Sequence, residues 1–113
     1  MGVTNRDIEK LRSHLQEWRG GGVSMNAFHD DHDRLILKLV HPSGEKTPVG
    51  LALFYCTYLA GPIRWTNSEL EPSVWTQSDG IAGLELVDKA VGFTVRCSGA
   101  SLYGEPGITI PQS

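Results

Sequence analysis

A chain of 113 residues with 40% apolar and 20% charged side chains is the size of one domain and can bury a core, which excludes two ordinary domains and a disordered chain. Ten Lys and Arg against thirteen Asp and Glu leave a formal charge of −3, which argues against nucleic-acid binding through bulk electrostatics. Thirteen Gly and six Pro suit a turn-rich chain better than a helical bundle.

The chain opens Met1-Gly2-Val3-Thr4-Asn5-Arg6, without a basic-then-apolar leader or a small-residue cleavage site. Its longest apolar run, Val49 to Ala60, falls short of the ~20 residues of a membrane-spanning helix. A cytoplasmic protein with no membrane partner is the resulting expectation. In a reducing compartment Cys56 and Cys97 are expected as buried thiols, although a cross-sheet disulfide is geometrically open to them. Neither has the spacing of a redox or zinc CxxC motif.

Residues 4–19 predict an amphipathic helix. Ile8, Leu11, Leu15 and Trp18 recur at steps of three, four and three, which places them on one face. Thr4 followed by Asp7 has the form of a capping box, and Gly20-Gly21-Gly22 supplies the stop. The opposite face interleaves Arg6, Arg12 and Arg19 with Glu9 and Glu17, a solubilising face and not a nucleic-acid patch. Because the glycines follow the helix, no helix N-terminus there is aimed at an anion.

Strands are predicted over 23–29, 34–41, 49–60, 81–87 and 90–98. The segment 34–41 alternates Leu35, Leu37 and Leu39 with Arg34, Ile36, Lys38 and Val40. The run 49–60 is apolar on both faces, the pattern of a strand covered on both sides. A two-residue turn at Asp88-Lys89 is expected to join the last two strands, and the tail around Ile108 and Ile110 is a candidate edge strand. One helix followed by about five strands predicts a single α+β domain over 1–113: an N-terminal amphipathic helix packed on a mostly antiparallel sheet.

The segment 61–79 reads as a long loop, and a long connection inside one domain is often functional. It carries Arg64, Trp65 and Trp75, residue types enriched where proteins bind proteins, together with Glu69 and Glu71. The competing reading is a structured crossover whose tryptophans roof the core. His29-Asp30-Asp31-His32-Asp33 combines usual cation ligands, of which His29, Asp31 and His32 are the candidates. A turn rarely makes such ligands converge, so a solvated hairpin tip with no metal or other cofactor is expected. No residue sits in a glycine-flanked nucleophile elbow, so catalysis is not the expectation.

These features predict a small interaction module acting by binding and occlusion, as an inhibitor, immunity-type neutraliser or assembly adaptor. Arg64, Trp65 and Trp75 would anchor another protein, while Asp30, Asp31, Glu69 and Glu71 would steer a basic one. The alternative is a small-ligand-binding protein or minor enzyme. Its pocket would lie between helix and sheet, lined by Phe54, Tyr55 and Tyr58, with Cys56 as the reactive group. A third is a homodimer through a sheet edge, with the tail as strand donor.

Overall fold

The helix forms where its periodicity places it. In the computed structural model, which describes residues 2–29, 34–103 and 109–111, α1 (Asn5–Trp18) buries Ile8, Leu11, Leu15 and Trp18 on one face. Its N-terminus is closed by the capping box: the Thr4 hydroxyl accepts the Asp7 N–H at 3.1 Å, and the Asp7 carboxylate accepts the Thr4 N–H at 2.9 Å. Past its end Gly20 takes a φ of +87° and donates its N–H to the Ser68 carbonyl at 2.8 Å.

Ten strands follow among the described residues. They are β1 (Gly22–His29), β2 (Arg34–Val40), β3 (Val49–Phe54), β4 (Tyr58–Ala60), β5 (Arg64–Trp65), β6 (Glu71–Thr76), β7 (Ala82–Asp88), β8 (Phe93–Cys97), β9 (Gly99–Tyr103) and β10 (Thr109–Ile110). All their pairings are antiparallel, in a six-stranded sheet of order β10-β9-β3-β2-β1-β5 and a four-stranded sheet of order β4-β8-β7-β6. The α+β class with an N-terminal helix stands. The single sheet of about five strands is replaced by two.

The run 49–60 is two strands and not one. Tyr55 takes a φ of +55°, and the chain leaves the six-stranded sheet after β3 to enter the four-stranded sheet at β4. A second passage runs the other way at Ser98, between β8 and β9. The two passages are tied together: the Ser98 N–H donates to the Phe54 carbonyl and the Thr57 N–H to the Arg96 carbonyl, both at 2.9 Å. A corner of this kind, made by strands that switch sheets, explains apolarity on both faces without a central strand.

The segment 61–79 is not a loop throughout. It contains β5, paired with β1, and β6, paired with β7. Pro72 conceals β6 in the sequence because proline argues against a strand. On an edge strand its missing N–H costs no ladder bond. The final hairpin also differs from expectation: Asp88 closes β7 opposite Phe93, and residues 89–92 make the turn. The tail does supply an edge strand, since Thr109 and Ile110 pair with Ser101 and Ala100.

One core lies between the sheets. Leu35, Leu37, Leu39, Leu51 and Leu53 face it from one side, and Leu84, Leu86, Phe93, Val95 and Cys97 from the other. Each such side chain is worth ~1.5–3 kcal/mol by removal from water, before the entropy of ordering it is counted. The helix packs along β6, and Arg12 fastens it there through Glu71 at 2.6 Å and the Pro72 carbonyl at 3.1 Å. No helix among the described residues is long and apolar enough to cross a membrane.

Candidate functional site

The residues singled out in 61–79 do not form one surface. Successive strand residues point to opposite faces. Accordingly Arg64 is exposed on the outer face of the six-stranded sheet, while Trp65 beside it is 7% exposed and lies in the core. The Trp65 ring meets Phe93 of the opposite sheet at 4.6 Å between centroids, and its indole N–H donates to Asp88 at 2.8 Å. The expectation that Trp65 anchors a partner is therefore corrected to the roofing role that competed with it. Glu69 and Glu71 are exposed, but each faces a cation of this chain: Glu69 with Arg19 at 3.8 Å, Glu71 with Arg12 at 2.6 Å. Hydrogen bonds to Glu71, then to Glu9, hold Arg12 still more firmly protonated than usual.

Trp75 keeps a surface position, and register explains what surrounds it. On the outer face of the four-stranded sheet Ser73, Glu85, Arg96 and Tyr58 fall in one row across β6, β7, β8 and β4. Trp75 stands in the next row opposite Gly83. A Cβ at Gly83 would come within 2.7 Å of the Cys97 carbonyl oxygen and 2.8 Å of the Trp75 indole nitrogen. The missing side chain lets the indole lie across β7 and donate to that carbonyl at 3.4 Å. Arg96 is the centre of the arrangement. Its guanidinium lies 5.3 Å from the Trp75 ring centroid and 5.0 Å from that of Tyr58, and it bonds Glu85 at 2.7 Å.

Tyr58 is 48% exposed and the Arg96 side chain 41%, so this aromatic–cation stack meets solvent while its geometry is already set. Beside it a groove of about 430 Å³ is lined by Glu69, Glu71 and Glu85 against Arg19 and Lys89, three carboxylates to two cations. Sequence reasoning missed Glu85 and Arg96 as site residues and named Tyr58 only for a pocket between helix and sheet. Each sits at an outward position of an alternating strand, but only register brings them into one row.

The pocket expected between helix and sheet is not built from the residues assigned to it. Ile8, Leu11, Leu15 and Trp18 fill that space, whereas Tyr55 and Tyr58 are exposed and Tyr58 lies on β4, the edge of its sheet opposite the helix-bearing β6. Cys56 and Cys97 are thiols at the sheet-switching corner, sharing a hydrogen bond with each other. That bond, followed by burial, raises Cys97 well above the ordinary thiol range. Among the metal candidates His29 ends β1, while Asp31 and His32, with Asp30, lie outside the described residues. Among the described residues no group of three or more His, Cys, Asp or Glu is placed to hold a metal ion. No family model, curated protein or solved structure matches the chain.

Proposed function

We propose that this chain is a protein-interaction module that works by binding and occlusion, with the outer face of the four-stranded sheet as its contact surface. The observation that carries the reading is the stack of Tyr58, Arg96 and Trp75 on an exposed face. Tyr, Trp and Arg are the side chains that concentrate binding energy at protein interfaces. Here Glu85 holds the Arg96 side chain and the Cys97 carbonyl holds the Trp75 indole in advance, which lowers the ordering cost of association. In the adjacent groove Glu69, Glu71 and Glu85 are each paired with an arginine of this chain, a polar rim whose ion pairs a partner could exchange.

The test is capture from native lysate by wild type, by Tyr58→Ala/Trp75→Ala, and by Glu45→Ala as a remote control. A partner captured in stoichiometric amount by wild type and control, and at least about tenfold less by the double variant, supports the reading. Hydrogen exchange of the complex is then expected to slow at β4, β6 and β8. Capture unaffected by the double variant, with that variant folded by circular dichroism, overturns it.

A further inference from the structure

The opposite side of the molecule carries a second feature, built from the outer face of the six-stranded sheet. Register places Ser24 of β1 between Lys38 of β2 and Arg64 of β5. The inward row beside it, Leu39, Val23 and Trp65, is buried, so the Lys38–Ser24–Arg64 row points outward. Strands ~4.8 Å apart set the two cation-bearing backbones roughly 10 Å from one another, within reach for both long side chains to converge above Ser24. Lys38 and Arg64 make no ion pair among the described residues, in contrast to Arg12, Arg19, Lys46 and Arg96, which all face carboxylates.

This row opens into a groove of about 550 Å³, which His41 and Thr66 also line, and no carboxylate is among its described lining residues. Its walls are the glycines that follow the helix and the 41–44 turn, where the Ser43 N–H donates to His41 Nδ1 at 3.2 Å. Gly22 decides whether the groove is open. A Cβ there would meet nothing nearer than 3.7 Å, and its φ is not in the left-handed region, so neither packing nor backbone requires glycine. Glycine in a strand costs stability relative to a residue with a side chain, and such positions recur where a ligand approaches the backbone. What its missing side chain does here is leave space beside two cations that pair with no carboxylate among the described residues.

We propose that this groove is a binding site for a phosphate monoester, with Lys38 and Arg64 clasping the doubly charged oxyanion and the Ser24 hydroxyl donating to it from below. A dianion matches the two cations in charge, and guanidinium and ammonium are the usual donors to phosphate. The remaining volume takes the organic body of a small molecule. This site is independent of the face proposed for protein binding.

The experiment is an NMR titration of the ¹⁵N-labelled protein at constant ionic strength with ribose 5-phosphate, O-phosphoserine and inorganic phosphate. Saturable shifts at Gly22, Ser24, Lys38, Arg64 and Thr66 are expected. Lys38→Ser and Arg64→Ser are each expected to weaken affinity about tenfold. Gly22→Val keeps both cations and is expected to weaken ribose 5-phosphate more than inorganic phosphate. The tighter of ribose 5-phosphate and O-phosphoserine identifies a sugar-phosphate or a phosphorylated-residue source. Shifts spread equally over Lys10, Lys89 and Arg19, or affinity unchanged in both cation variants with their spectra still dispersed, overturn the site.

Discussion

Trp65 and Asp88 join the two sheets through one hydrogen bond of 2.8 Å, made inside the core. Asp88 is fully buried, and the same carboxylate oxygen also accepts the Glu69 N–H at 2.8 Å. A buried carboxylate is tolerated only where donors replace water. The pair therefore does two things: with the Glu69 amide it supplies two donors to Oδ2, while Oδ1 is buried without one, and it holds the segment leading from β5 to β6 against the end of β7.

Removing the donor tests this account. Trp65→Phe keeps most of the ring packing on Phe93 but deletes the indole N–H, leaving Asp88 with fewer donors in a buried site. A loss of about 1.5–3 kcal/mol is expected in urea unfolding. Asp88→Ala is expected to cost at least as much, because it strands both the indole and the Glu69 amide.

Gly83 and Trp75 make a second test, since a methyl group at Gly83 would occupy space taken by the indole. Gly83→Ala is expected to lower the unfolding midpoint and to shift the Trp75 contribution to fluorescence toward the red as the ring moves into water. Trp75→Phe in the same background is expected to remove that spectral change.

The corner thiols predict a pH dependence with a definite sign. Cys97 is held above the ordinary thiol value of 9.0, so its protonated form stabilises the fold below that value. As pH rises beyond it, unfolded chains release the proton and folded ones retain it. Stability is therefore lost progressively up to and through the raised value. Denaturant midpoints measured from pH 7 to 10 are expected to fall more steeply in wild type than in Cys97→Ala. In native protein Cys56, which is half-buried, is expected to alkylate before Cys97.

At the other end of the chain, Thr4→Ala removes half of the capping box. A loss of about 1 kcal/mol is expected, read from the thermal or urea transition, with Thr4→Ser restoring most of it.

The helix was legible because its signals are local: Thr4, Asp7 and the four apolar residues act within a few positions of one another. The β2 strand and the 82–97 hairpin were legible for a similar reason, a period of two maintained over several residues. The passages between sheets were not, because at Tyr55 the alternation breaks through one backbone angle in a run that stays apolar. Nor was β6, where an edge position neutralises the signal of Pro72. In the candidate site, Trp75 stood out by residue type, but nothing local told it apart from Trp65, ten residues earlier.

Composition and periodicity by themselves determined that one N-terminal amphipathic helix packs on antiparallel strands in an α+β chain. Burial of apolar faces at fixed periods leaves few other solutions. Only the tertiary structure decided that the strands divide into two sheets, that Trp65 is core while Trp75 is surface, and that Arg96 lies between Tyr58 and Trp75. The physical reason is register. Cross-strand neighbours are set by which strands pair and with what offset, and that depends on the whole core closing at once.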